Sequence, residues 1–218
     1  MELTLPPGNF HAYIFDCDGT LADTMPLHYR AWQATLGDRH GELLPEDFYY
    51  SLGGLPTDKI VELLNLRHGL TLSPMETALR KENAYLELLP GARPIEAVLT
   101  IARDGRERGL PMAVGSGGFK RVVLQTLDVL GIADWFSAIV TADEVAHGKP
   151  APDTYLEAAR RLGIAPSLCL VFEDTQLGLD AATAAGMASV FVPSGPAGSR
   201  REPPSTARAL VGVPKRLT

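Results

Sequence analysis

Five short apolar runs constrain this chain more than any other feature. They are Ala12–Phe15, Met112–Gly115, Ala138–Thr141, Leu168–Phe172 and Ser189–Val192. Each is continuous rather than alternating, the pattern of a strand buried on both faces. Helical patterns separate the later runs. Val122, Val123, Leu127 and Leu130 share one helical face, and Tyr155, Leu156, Ala159 and Leu162 another. Strand alternating with helix predicts an α/β fold: a doubly wound, Rossmann-like parallel sheet with helices on both faces. In such sheets ligands gather at the carboxyl ends of the strands.

The first gap breaks the rhythm. Between Phe15 and Met112 lies far more chain than one crossover needs, and from about Thr24 to Pro90 the pattern is almost all helical. Ile60, Leu63 and Leu64 form an apolar stripe. Ser73-Pro74-Met75-Glu76 reads as a capping box with proline at the first helical position. Residues 24–90 are therefore expected to form a helical cap over the strand ends, with Gly91-Ala92-Arg93-Pro94 as the return hinge. Residues 1–23 and 91–195 make the core. Residues 196–218, rich in Pro, Gly, Ser and Arg, read as a peripheral tail, with Ala209–Val213 as a candidate edge strand.

Composition narrows the partners. With 218 residues, 45% of them hydrophobic, the chain can bury a sizeable core. A formal net charge of −6 argues against nucleic acid or an anionic membrane as the main partner. No apolar run is long enough to span a bilayer, and "MELTLPPGNF" lacks the basic-then-apolar pattern of a secretory signal. Cys17 and Cys169 fall in no metal or redox spacing. The expectation is a cytoplasmic protein with free thiols, a monomer or small homo-oligomer.

The residues after the strands carry the chemistry. Asp16-Cys17-Asp18-Gly19-Thr20 follows the first, Ser116-Gly117-Gly118 the second, His147-Gly148-Lys149-Pro150 the third and Glu173-Asp174 the fourth. Carboxylates suit a hard divalent ion such as Mg²⁺. Backbone N–H groups of a glycine-rich turn entering a helix suit a phosphate, and a lysine adds charge for the same anion. Singly, each motif has a plainer reading. Asp-x-Asp can be a solvated turn, and Glu173-Asp174 a helix N-cap. Cys17 is expected to point away from its acidic neighbours and pack. Spacing excludes an EF-hand. Lys120 stands where a dinucleotide loop needs its last glycine, and Gly148-Lys149-Pro150 lacks the Walker flanks. The joint occurrence, in this order at strand ends, is what the plainer readings do not explain.

The four motifs are "DCDGT", the Ser116 of "AVGSGG", the Lys149 of "HGKPAPDTY" and "FEDTQLG". They resemble those of the haloacid dehalogenase superfamily of phosphotransferases, over the whole chain except the tail. A helical cap between the first two is similar to that family, and Asp18 matches the acid kept by members that cleave phosphate esters. The resemblance implies that Asp16 attacks phosphorus to form an aspartyl-phosphate. Asp18 would act as acid and then as base. It implies Mg²⁺ held by Asp16, the backbone carbonyl of Asp18 and Asp174, with Glu173 close by. Ser116, the Gly117 amide and Lys149 would hold the phosphoryl oxygens, and Thr20 would support the loop. Asp23 is expected as a first-turn acid or salt-bridge partner.

The stretch "DTMPLHYRAWQATL" resembles the group containing β-phosphoglucomutase and sugar-phosphate phosphatases such as fructose-1-phosphate phosphatase. His28 and Trp32, four apart and on one helical face, match a His-x-x-x-Trp pair facing the site in that group. The plainer alternative puts His28 on the surface and Trp32 in the core. The mutase's basic Lys-Gly-x-x-Arg element grips a second phosphate. Here the corresponding stretch is Leu52-Gly53-Gly54-Leu55-Pro56-Thr57, with Gly54 counted on the substrate side and neither base present. Lys81, Arg80 or Lys59 could compensate, or form a solvated helix face. The implied activity is a Mg²⁺-dependent phosphatase of small phosphorylated sugars, with a β-phosphoglucomutase-type transfer as the alternative. A cap closing about Thr24 and Gly91 is expected to control water at the site.

Overall fold

The computed structural model describes residues 3–194 and Thr206. The core is a parallel sheet of β1 (Ala12–Phe15), β2 (Met112–Gly115), β3 (Ala138–Val140), β4 (Cys169–Glu173) and β5 (Ala188–Phe191), in the order β3-β2-β1-β4-β5. Its central strand shows why the apolar runs are continuous. Tyr13 and Phe15 face one side, packing with Val98, Leu127 and Phe172. Ala12 and Ile14 face the other, against Tyr155, Ala158 and Ala181. With both faces buried, a period-two strand has no polar position left.

Register sets up the site. Phe15 pairs with Phe172 across β1 and β4, and their rings stack at 4.7 Å. The two strands thus end at one level, and Asp16 emerges beside Glu173 and Asp174. The strand order also reverses here. The chain runs outward from β1 through β2 to β3, then returns to β4 on the other side of β1. Such a switch point leaves a crevice at the strand ends.

The cap contains α1 (Met25–Leu36), α2 (His40–Leu43), α3 (Glu46–Ser51), α4 (Thr57–His68) and α5 (Pro74–Leu88). On the core, α6 (Glu96–Glu107) and α7 (Lys120–Val129) cover one face, and α8 (Asp153–Leu162) and α9 (Gln176–Ala184) the other. The cap has its own apolar centre around Trp32, Leu44, Ile60 and Leu64, and docks through Leu177 of α9 and Val122 of α7. Its two crossings to the core are tied together. The Asp23 amide donates to the Arg93 carbonyl (2.8 Å) and the Ile95 amide to the Leu21 carbonyl (3.0 Å).

Several expectations need correction. Thr141 leaves β3 because its hydroxyl and amide turn toward Glu144, at 2.9 and 3.2 Å. Leu168 closes a short 3-10 turn instead of opening β4. The fifth strand ends at Phe191, one residue early. Leu156 is 40% exposed, since one helical step of ~100° takes it off the face of Tyr155 and Ala159. Ser73 makes no capping bond; Pro74 starts α5 without it. Asp23 is exposed and precedes α1, whose first turn carries no acid, and it forms no salt bridge among the described residues. Cys17 and Cys169 are free and buried, as expected. No helix among the described residues is long and apolar enough to cross a membrane. The candidate strand Ala209–Val213, and all of the tail but Thr206, lies outside the described residues.

Candidate active site

The loop after β1 is shaped by its own carbonyls. The amides of Thr20, Leu21 and Ala22 all donate to the Cys17 carbonyl, at 3.3, 3.0 and 3.0 Å. Cys17 is thereby turned into the core, fully buried, while Asp16 and Asp18 line the crevice. Gly19 has a φ of +83°, and a Cβ there would lie 2.1 Å from Asp174 Oδ2. Only glycine satisfies both the backbone and the carboxylate beside it.

Asp16, Glu173 and Asp174 are buried, with ligand oxygens all within 4.8 Å of one another. Lys149 reaches into this cluster from the β3 side. Its Nζ donates to Asp16 Oδ1 and Glu173 Oε1, both at 2.7 Å. His147 anchors that loop, its ring 3.0 Å from Asp153 at the start of α8. Glu173 is fixed on all sides. Oε1 also accepts from the Tyr155 hydroxyl (3.2 Å), and Oε2 from the Thr175 amide (2.6 Å) and hydroxyl (2.9 Å). Asp174 accepts from Ser194 (2.7 Å) and Thr20 (3.4 Å). The N-cap of α9 is Thr175, which accepts from the Gly178 amide, so neither Glu173 nor Asp174 caps the helix.

The charges do not balance without a cation. Three carboxylates face one ammonium. Burial pushes the Asp16 carboxyl up to about 7, with Glu173 and Asp18 adding to the push against Lys149. Burial, with Glu173 and Asp16 adding to it, raises Asp174 well above the carboxylate range. Burial opposes the Lys149 charge, but Asp16 and Glu173 outweigh it and hold the ammonium well above its usual pKa. Two uncompensated negative charges on hard oxygen donors suit one divalent ion of the Mg²⁺ type.

Asp18 belongs to a second network, reaching into the cap. Its Oδ1 accepts from the Thr24 hydroxyl (2.6 Å) and lies 3.1 Å from His28 Nε2. Lys81 Nζ lies 2.6 Å from His28 Nδ1 and 3.1 Å from Glu82 Oε1. An ammonium can only donate, so His28 Nδ1 accepts and Nε2–H points at Asp18. Burial raises the Asp18 carboxyl, but His28, Thr24 and Lys81 outweigh it and bring it to about 2. The His28 ring stacks on Tyr85 at 3.8 Å. Side-chain carboxylate atoms of Asp18 thus stay out of the Asp16–Glu173–Asp174 cluster.

Ser116 and Gly117 close the crevice from the end of β2. Ser116 is buried, and its Oγ accepts from the Gly118 amide at 3.0 Å. Gly117 faces the cap, with the Gly54 carbonyl 3.5 Å from where its Cβ would be. Gly54 is pressed on Thr175 at a φ of +85°. The cavity between cap and core holds about 90 Å³ and is lined by Asp16, Asp18, His28, Lys81, Ser116 and Lys149 among others. That is room for a few waters.

Each site residue read from the sequence lines this cavity or its metal-type cluster: Asp16, Asp18, Ser116, Gly117, Lys149, Glu173, His28, Trp32, Gly54 and Lys81 on the wall, Asp174 in the cluster. Trp32 serves both roles, since it is also the centre of the cap core. A solvated face fits only Arg80, which is exposed; Lys59 is partly buried and pairs with Glu62 at 2.9 Å. Lys81 is 3% exposed and turned inward. The sequence reading missed Thr24, Thr57, Glu82, Tyr155, Thr175 and Ser194. The spacing of Thr77, Lys81 and Tyr85, four apart, was the available signal for an inward polar face on α5.

Comparison with known proteins agrees with this geometry. The family model described as haloacid dehalogenase-like hydrolase matches residues 10–186. Fructose-1-phosphate phosphatase YqaB of Escherichia coli (strain K12) is 39% identical over 180 residues, covering 82% of this chain and 94% of that protein. A phosphorylated carbohydrates phosphatase of Thermotoga maritima is 29% identical over 184 residues, 83% of each. Among solved structures, β-phosphoglucomutase from Clostridium difficile superposes with a TM-score of 0.71 at 27% identity, covering 83% of each chain.

Proposed function

Because the chain belongs to the haloacid dehalogenase-like hydrolases, we propose that it is a Mg²⁺-dependent phosphatase of small phosphorylated sugars. Asp16 and Asp174, with the Asp18 carbonyl, would hold the ion, and Glu173, whose oxygens already accept four bonds, would stand close by. Bound there, Mg²⁺ supplies positive charge that lets an anionic phosphate approach anionic Asp16. Asp16 attacks phosphorus and becomes an aspartyl-phosphate. Lys149 offers its charge to the phosphoryl oxygens, and Ser116 and the Gly117 amide donate to them. Asp18 handles the proton, first toward the leaving oxygen and then from water. Closure of the cap excludes bulk water during transfer.

One observation favours hydrolysis over mutase chemistry. Among the described residues Lys81 is the one lysine or arginine on the cap side of the cavity, and Glu82 lies 3.1 Å from it. A mutase must also grip a second phosphate, and a neutralised lysine makes a weak clamp for one. The names of the E. coli and T. maritima relatives point the same way, and fructose 1-phosphate is the first candidate to test.

The test is ³¹P NMR of the protein with Mg²⁺ and a panel of hexose and pentose phosphates. The panel includes β-glucose 1-phosphate with a trace of the 1,6-bisphosphate. Release of inorganic phosphate is expected. Conversion of the 1-phosphate to the 6-phosphate without release would establish the mutase reading instead.

A further inference from the structure

Glu82 is the buried charge that the mechanism above leaves without a task. It follows Lys81 on α5 and is 7% exposed. Its Oε1 is fully engaged, accepting from the Thr57 hydroxyl at 2.6 Å and from Lys81 Nζ at 3.1 Å. Its Oε2 is buried and has no hydrogen-bond partner. Burial works against ionisation here, yet Lys81, His28 and Thr57 outweigh it and keep the carboxyl below its usual pKa. A charged oxygen shut away from water and left unpaired is costly. The residue stands on the wall of the catalytic cavity, on the cap side where a leaving group would lie.

We infer that Glu82 Oε2 accepts a hydroxyl of the substrate's leaving group, which makes Glu82 a specificity-determining residue. This rests on the reading above, that a phosphorylated sugar is hydrolysed here. A carboxylate oxygen can only accept, so it selects an O–H and repels a second phosphate. The cap then recognises a free polyol end of a monophosphate. Lys81 opposes that preference only weakly, because Glu82 offsets its charge and, with His28, takes two of its three donors.

The test is a cycle between substrate and protein. Glu82→Gln keeps the shape. The Thr57 and Lys81 donors orient the amide with its oxygen in the Oε1 position, leaving an NH₂ donor where Oε2 stood. Hydrolysis is measured for the preferred sugar monophosphate, its monodeoxy analogues, its bisphosphate and phenyl phosphate. In the native protein one monodeoxy analogue should lose about tenfold or more in kcat/KM, the worth of one charge-assisted hydrogen bond. In Glu82→Gln the hydroxyl can at best accept a neutral bond from the new NH₂, so the parent should fall toward that analogue's level, mainly through KM, and the deoxy penalty should shrink. Preference for the monophosphate over the bisphosphate should narrow as well. A native protein for which no monodeoxy analogue loses more than about twofold would overturn the inference, whether or not the variant folds. So would a variant that slows the parent and every analogue equally, the mark of a purely structural role. If the native protein cleaves phenyl phosphate but no sugar phosphate, the sugar reading itself falls, and this inference with it.

Discussion

Replacing Lys149 with methionine tests whether one ammonium holds the buried acids together. The substitution keeps an unbranched side chain of similar length and removes the charge with its N–H donors. Lys149 is 2% exposed and makes two 2.7 Å bonds to carboxylates. Each charge-assisted bond is worth roughly 1.5–3 kcal/mol, but they share one donor group and do not add. Breaking a buried pair by removing one partner costs about 3–5 kcal/mol, and that is the expected loss for metal-free protein at pH 8. For a protein of this size it lowers Tm by roughly 6–20 °C. The sign of the pH dependence follows from Asp16. Its carboxyl is already raised to about 7, and Lys149 is what restrains it. Without the lysine it climbs further and takes up a proton more readily. A raised carboxyl loses stability as pH rises through its folded pKa. The deficit against the native protein should therefore be larger at pH 8 than at pH 6. Melting in chelator at both pH values measures it. A deficit under about 1 kcal/mol at pH 8, or one of equal size at both, would refute the charge-balance argument.

Three further outcomes are expected. Asp16→Asn should abolish phosphate release while leaving the metal-free Tm unchanged or higher, because a repelling charge is gone; turnover within tenfold of native would sink the covalent mechanism. Mg²⁺ should raise Tm more at pH 8 than at pH 5.5, since protons compete for the raised carboxyls of Asp16 and Asp174; equal shifts in differential scanning would count against the site. Gly178→Ala puts a Cβ 1.8 Å from Glu173 Oε1, and Glu173 is pinned by Lys149, Tyr155 and Thr175. Urea melts should show about 2–3 kcal/mol of lost stability, and a loss below 0.5 kcal/mol would mean that Glu173 yields easily.

What could be read in advance follows from what burial does to sequence. The strands were legible because burial on both faces leaves only apolar residues, as in Ala12–Phe15. Their last residues were less so, because side chains such as that of Thr141 decide where pairing stops. Site residues of the core were legible because chemistry follows strand ends, and parallel register brings those ends together. The cap was harder. Helix α5 is inverted: it buries Thr77, Lys81 and Glu82 and exposes Met75 and Leu79 at 61% and 57%. Ordinary amphipathic reasoning turns charges outward, and only a polar cavity beneath the helix reverses it. Tyr155 shows the same limit. It packs as a core aromatic, yet its hydroxyl supports Glu173.

The two halves of the proposed reaction ask opposite things of Asp18. Protonating a leaving oxygen needs the acid, and activating water needs the carboxylate. His28, Thr24 and Lys81 hold its pKa near 2, so the closed site at neutral pH contains the carboxylate. That state is ready for water. His28 and Lys81 ride on the cap, and lifting it returns Asp18 only toward an ordinary pKa of about 4. Opening alone does not load the acid. A phosphate monoester has a second pKa of about 6 and as monoanion carries a proton of its own. Under the proposed mechanism the substrate brings the proton that Asp18 lacks. The expected result is a kcat/KM that falls as pH rises through the ester's second pKa, with a limb that moves when esters of different acidity are compared. A limb that stays fixed across such esters would place the proton on the enzyme. The 3.1 Å contact between His28 and Asp18 would then have to break before the first transfer.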